Sequence, residues 1–247
     1  MKKTVIVDEL FDRLVGVLSE RNMWISAAES CTGGLFAASI VRVPNASRVL
    51  SASFVTYSEE AKTKLVEAPE ETIARYGVVS EEVAEAMAKG AAKAGHSDVG
   101  VGITGFAGPS GGTKEAPVGT VCFGFFVYGD VYTCTQYYCK RERNAIRESA
   151  VRLAAESLIE IIMSYPKEYM VHDGQACILD DCPICGVRHF IPVITEKETF
   201  EKNGKTCDVI QKHLYCPSAD EYYDNGKMLN KNLTAIKAAY EKISGEK

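Results

Sequence analysis

The nine cysteines are spread unevenly along this chain of 247 residues. Cys31, Cys122, Cys134 and Cys139 stand singly in the first two-thirds, whereas Cys177, Cys182, Cys185, Cys207 and Cys216 crowd into the forty residues from 177 to 216. Such crowding does not suit one continuous apolar core. It calls for a small module, held locally, behind an ordinary domain. The length fits that division, and the chain reads as two domains, residues 1–168 and 169–247. Hydrophobic residues make up 46% and charged residues 25%, enough apolar matter for a real core in the larger part. A net charge of -5 excludes a basic surface over the whole protein and leaves only a local patch for nucleic acid. The opening Met-Lys-Lys imitates a secretory leader, but Asp8, Glu9 and Asp12 break the apolar run that a leader needs. No stretch approaches the ~20 apolar residues of a membrane span. The expectation is a cytoplasmic protein with no membrane partner, in which a Cys-x-x-Cys pair points to metal before disulfides.

The first part alternates helical and β patterns. Residues 5–22 carry Leu10, Phe11, Leu14, Val17 and Leu18 at helical spacing. Trp24 to Ala28 reads as a buried strand leading into a Gly turn, and residues 49–57 alternate as a strand does. Ser58 is placed to cap one helix and Ser80 another, with Pro69 opening a short helix between them. Val99–Thr104 is a strand that runs into the glycine-rich loop Gly105–Gly112. Two further strands meet at Tyr128-Gly129-Asp130, and residues 144–164 form a long helix. This order predicts an α/β domain, a layered mixed sheet flanked by helices. Beyond it comes a small β-rich, zinc-ribbon-like domain with a C-terminal helix.

Glu29-Ser30-Cys31-Thr32-Gly33-Gly34 follows a strand and opens a helix, which exposes a side chain at a sheet edge and turns backbone N–H groups outward. Such a turn suits a nucleophile beside an oxyanion or phosphate site, and equally a polar cap on a Gly turn. No Gly-Lys-Ser/Thr follows, so it is not a Walker loop. A serine hydroxyl needs a base. The first 170 residues contain only His96, so a Ser-His-Asp triad is not expected and a lysine of lowered pKa is the remaining option. Spacing alone does not say which lysine. Cys31 is a competing nucleophile.

The segments AESCTGG, FVTYSEEAK, GITGFAGPSGG and PVGT, in this order, resemble the CinA C-terminal domain family over residues 5–165. Members of that family are similar to nicotinamide mononucleotide amidohydrolases, which release ammonia from the carboxamide and leave nicotinate mononucleotide. The resemblance implies Ser30 as nucleophile, Lys62 as general base and Tyr57 as assisting hydroxyl, without a cofactor for catalysis. It implies substrate binding by Thr32, Gly33, Thr104, Gly105, Gly108 and Arg143, the last aligning with a family arginine suited to a phosphate. Two departures stand out: Arg141-Glu142 replace the family's Gly-Asp, and Ala116 replaces a lysine that Lys114 would have to stand in for. The resemblance also implies a homo-oligomer.

Cys182-Pro183-Ile184-Cys185-Gly186 has the form of a zinc knuckle. Cys216-Pro217-Ser218-Ala219 has the frame of a second, with Ala219 where another cysteine is expected. Residues 180–243 resemble the zinc-binding domain of YgiT/MqsA-type antitoxins, with Asn203-Gly204-Lys205 as the turn between knuckles. The resemblance implies a structural zinc on Cys182, Cys185 and Cys216, with His213 as the expected fourth ligand and Cys207, Cys177 or His189 as alternatives. Two functions follow as expectations. One is the amidohydrolase, acting on a small nucleotide. The other is an inactive nucleotide-binding or docking protein whose tail recruits protein or DNA.

Overall fold

The computed structural model describes residues 2–165, 169–172, 175–202 and 204–244. The chain divides into two compact units, Met1–Lys167 and Glu168–Lys247.

In the first unit the elements run α1 (Lys2–Glu20), β1 (Ile25–Glu29), α2 (Leu35–Val41), β2 (Leu50–Val55), α3 (Glu59–Val66), α4 (Glu70–Tyr76), α5 (Glu81–Ala94), β3 (Val99–Gly105), β4 (Thr120–Val127), β5 (Asp130–Tyr137) and α6 (Arg143–Ser164). The five strands form one sheet in the order β2-β1-β3-β4-β5. β1 pairs in parallel with β2 and β3, and β4 is antiparallel to both of its neighbours. The sheet is mixed, as the alternation of elements predicted. Central strands β1 and β3 are buried along nearly their whole length, so both faces are covered. Edge strands β2 and β5 alternate or face solvent, as edges do.

Local sequence explains the main helices. Ser58 Oγ accepts the Ala61 amide at 3.0 Å and Ser80 Oγ the Val83 amide at 3.3 Å, which satisfies one free donor at each helix start. The helix α5 lies against the sheet at backbone contact. A Cβ on Gly102 would stand 2.1 Å from the Ala84 carbonyl oxygen, and one on Gly124 2.2 Å from the same atom. Glycine here removes side chains so that the helix can approach. Ala28, Val66, Val83, Met87 and Ala91 form the core between α3, α5 and β1. Phe11, Phe36, Ile40, Ile146, Ala154 and Leu158 are buried where α1, α2 and α6 pack.

The second unit is a five-stranded antiparallel sheet in the order β10-β9-β8-β7-β6. Its strands are β6 (Tyr169–His172), β7 (Gln175–Asp181), β8 (Arg188–Lys202), β9 (Lys205–Cys216) and β10 (Glu221–Tyr223), followed by α7 (Gly226–Ser244). Asn232 of α7 is buried and bridges to β9, its amide nitrogen donating to the Lys212 carbonyl at 2.9 Å and its oxygen accepting the Lys212 amide at 3.1 Å. Among the described residues no helix is long and apolar enough to cross a membrane.

Candidate active site

Parallel strands β1, β2 and β3 all end on one side of the sheet, and the chemistry-bearing residues gather beyond those ends, where open α/β sheets hold their ligands. Ser30 follows β1, Tyr57 lies just past β2, and Thr104 and Gly105 end β3. His96 sits at the opposite end, before β3 begins, about seven residues or roughly 20 Å along the strand direction from Ser30. Within the first unit, where His96 is the one histidine, a serine–histidine pair is thereby excluded.

The turn that carries Ser30 is held from several sides. Ser30 donates its amide to the Ile103 carbonyl at 2.9 Å, and the Glu29 carbonyl accepts the Thr56 amide at 2.8 Å. Gly33 and Gly34 take left-handed backbone with φ of 58° and 90°. Gly34 has no side chain with which to cap α2, and Glu29 supplies that function from the strand. Its buried carboxylate accepts the amides of Gly34 at 3.1 Å, Phe36 at 3.0 Å and Ala37 at 3.0 Å. On the other side Arg147 of α6 donates to the carbonyls of Cys31 at 3.1 Å and Thr32 at 2.7 Å. Sequence reasoning left Glu29 and Arg147 without a role. An acidic residue five positions before a glycine cap was the signal for the first.

Lys62 lies in the middle of α3 and is fully buried. Its Nζ donates to Ser30 Oγ at 3.2 Å and to the Thr56 carbonyl at 2.8 Å. Burial holds its pKa below the ordinary 10.5, against the opposing pull of Cys31 and Glu59. Among the lysines of the first unit, the fold thus selects the one next to the serine. When Lys62 loses its proton, the nitrogen presents a lone pair to the Ser30 hydroxyl, and this pair can then work as nucleophile and base. Cys31 behaves differently. Burial pushes its thiol up to about 12, so it stays protonated at neutral pH.

The other expected residues divide. Tyr57 is exposed, and its hydroxyl accepts from Arg143 Nη2 at 3.3 Å; no hydrogen bond joins it to Ser30 or Lys62. Arg143 Nη1 donates to the Gly108 carbonyl at 2.6 Å, so this arginine ties the glycine-rich loop to Tyr57. Gly108 therefore offers Arg143 a carbonyl rather than an amide. Thr104 is buried, and its hydroxyl donates to the Val78 carbonyl at 2.7 Å, which spends its proton within the fold. Gly105 is needed for packing, since a Cβ there would stand 2.7 Å from the Thr120 carbonyl oxygen. Thr32 is buried beside Ser30 with no partner for its hydroxyl, and so is Thr56. Arg141 turns away, donating to Ser149 Oγ at 2.6 Å, and Lys114 is exposed.

In the second unit Cys182, Cys185 and Cys216 come together, but the fourth member of the cluster is His189, not the expected His213. His213 is engaged elsewhere, its Nδ1 lying 2.8 Å from Asp224 Oδ1. The reason is strand geometry: His213 and Cys216 are three positions apart on β9 and face opposite sides of the sheet.

Comparison with known proteins fits this geometry. Residues 7–162 match the family described as the CinA C-terminal domain. The chain belongs to that family. It is 42% identical over 149 residues to a CinA-like protein of Kosmotoga olearia, a match covering 60% of this chain and 36% of that protein. With a CinA-like protein of Dictyoglomus turgidum it shares 43% over 134 residues, covering 54% and 32%. The chain thus spans about a third of the length of these curated relatives. Solved structures agree. A competence-damaged protein (CinA) superfamily protein from Escherichia coli superposes with TM-score 0.62 at 32% identity, over 65% of this chain and 93% of the other. The competence/damage inducible protein CihA from Agrobacterium tumefaciens gives 0.61 at 36%, over 63% and 94%. The family match ends before the second unit begins.

Proposed function

We propose that the CinA unit is an amidohydrolase that converts nicotinamide mononucleotide to nicotinate mononucleotide and ammonia. The observation that carries the reading is the buried contact of 3.2 Å between Lys62 Nζ and Ser30 Oγ, with Lys62 held below its ordinary pKa by burial. Neutral Lys62 takes the hydroxyl proton as Ser30 Oγ attacks the carboxamide carbon. The amides of Gly33 and Gly34 are committed to Ser30 O and Glu29 Oε2, which leaves those of Cys31 and Thr32 as the turn's donors for the developing oxyanion. The lysine returns the proton to the leaving nitrogen, which departs as ammonia. Water then attacks the acyl-serine, losing a proton to Lys62, and the acid is released with Ser30 restored. The exposed guanidinium of Arg143, beside Tyr57 at the mouth of the site, suits the phosphate. Tyr57 then acts through Arg143 at the entrance.

A second reading is a nucleotide-binding protein without turnover. It is favoured by the engagement of Tyr57 with Arg143 instead of with the Ser30–Lys62 pair. Ammonia release decides between them. Native protein incubated with nicotinamide mononucleotide should produce nicotinate mononucleotide and ammonia in equal amounts, and Ser30→Ala should produce neither. Tight binding of the mononucleotide with no ammonia above the Ser30→Ala background would favour the second reading.

A further inference from the structure

One end of the second sheet concentrates four metal-ligating side chains that the chemistry of the first unit does not use. Cys182 directly follows β7, Cys185 lies in the next turn, His189 is the second residue of β8, and Cys216 is the last of β9. The antiparallel register brings them together, pairing Asp181 with Arg188 and Cys216 with Glu221. Their ligand atoms all lie within 4.8 Å of one another, and the three thiols are free. Ligands of a tetrahedral zinc with Zn–S of ~2.3 Å stand about 3.8 Å apart, so a shift of about 1 Å or less closes the site.

Two features show that the cluster is built. First, both leading cysteines sit in closed turns: the Gly186 amide donates to the Cys182 carbonyl at 2.8 Å and the Ala219 amide to the Cys216 carbonyl at 3.3 Å, so the second turn keeps the knuckle shape although Ala219 has no thiol to give. Second, the His189 ring is oriented as a ligand. Nδ1 lies 2.9 Å from the Phe190 carbonyl, which can only accept, so in the neutral ring Nδ1 carries the proton and Nε2 offers its lone pair. That Nε2 is 3.4 Å from Cys185 Sγ.

We propose that this unit binds one zinc ion through Cys182, Cys185, His189 and Cys216, with the imidazole of His189 in place of the thiolate that Ala219 lacks. Three sulfurs and one imidazole in a tetrahedral set favour zinc over harder cations. Binding releases the three thiol protons and leaves the site with a net charge of minus one. His213 is excluded by its bond to Asp224 and by its position on the far face of β9.

The test uses the full chain, purified reduced, with zinc measured by elemental analysis and the ligand set by X-ray absorption. Native protein should hold one zinc per chain with three sulfur neighbours and one imidazole nitrogen. His189→Ala should weaken zinc binding by at least about tenfold. His213→Ala should leave it unchanged, and His189→Cys should restore tight binding with four sulfurs. The proposal is overturned if the reduced native chain binds no zinc, if oxygen replaces the imidazole neighbour, or if His189→Ala binds as tightly as native protein. All three histidine variants leave Cys182, Cys185 and Cys216 in place, so the zinc they lose or keep reports on the imidazole alone.

Discussion

Replacing Lys62 by methionine keeps a buried stem of similar length and deletes the amine. Lys62 Nζ bonds to Ser30 Oγ at 3.2 Å, and His96, the one histidine of the first unit, is at the wrong end of the sheet, so no histidine of this unit can replace the lysine as base. Proton transfer by a positioned base is worth ~10²–10⁴-fold, and with no substitute the loss in kcat should fall at the upper end, about 10³–10⁴-fold or roughly 4–5.5 kcal/mol. Lys62→Arg should be as damaging, because a guanidinium keeps the charge but cannot give up its proton. The native pH profile follows from the same shift. Only the unprotonated amine is a base, so kcat/KM should rise with pH and level off with a midpoint below 10.5, the ordinary lysine value. Stability moves with it. The folded pKa lies below the unfolded one, so the unfolded chain binds the extra proton between them. The resulting penalty is full below the folded pKa and relieved as pH rises towards 10.5. The assay is steady-state ammonia release, with circular dichroism to confirm that the variants fold. Lys62→Arg retaining more than about a tenth of native kcat would refute a general-base role.

Ser30→Ala should remove turnover by about a thousandfold or more, whereas Cys31→Ala should stay active, since the Cys31 thiol at about 12 is protonated at neutral pH; the opposite result in the same ammonia assay reverses the assignment. Glu29→Ala strands three amides that the carboxylate now satisfies, and at about 1–3 kcal/mol for each buried group, with incomplete additivity, the loss should be roughly 3–5 kcal/mol in denaturant unfolding. A loss below about 1 kcal/mol would mean that water replaces the carboxylate. Arg143→Ala should raise KM for the mononucleotide about tenfold or more while sparing the phosphate-free riboside, and equal losses on both would remove the phosphate from its role. Gly102→Ala places a Cβ 2.1 Å from the Ala84 carbonyl oxygen and should cost about 1–3 kcal/mol or more by forcing α5 off the sheet, read as a lowered melting temperature.

What the sequence by itself determined was short-range. Helical spacing, the caps at Ser58 and Ser80, the glycine turn after β1 and the Cys-Pro-Ile-Cys knuckle act within a few residues, and each stands in the structure close to where the pattern put it. The order of elements was enough for a mixed sheet between helices, and four ordered motifs were enough for the family. Tertiary structure decided whatever depends on register. Ser30 and Lys62 are 32 positions apart and meet only because β1 and β2 run in parallel and α3 folds back over the strand ends. Thr104 carried no local sign that its hydroxyl would turn to Val78, nor Gly108 that its carbonyl would take Arg143. In the second unit the sequence pointed to His213, with His189 as an alternative. The face of β9 on which Cys216 lies, and the pairing of β7 with β8, place His189 and not His213 beside the three cysteines, since a strand sends successive side chains to opposite sides.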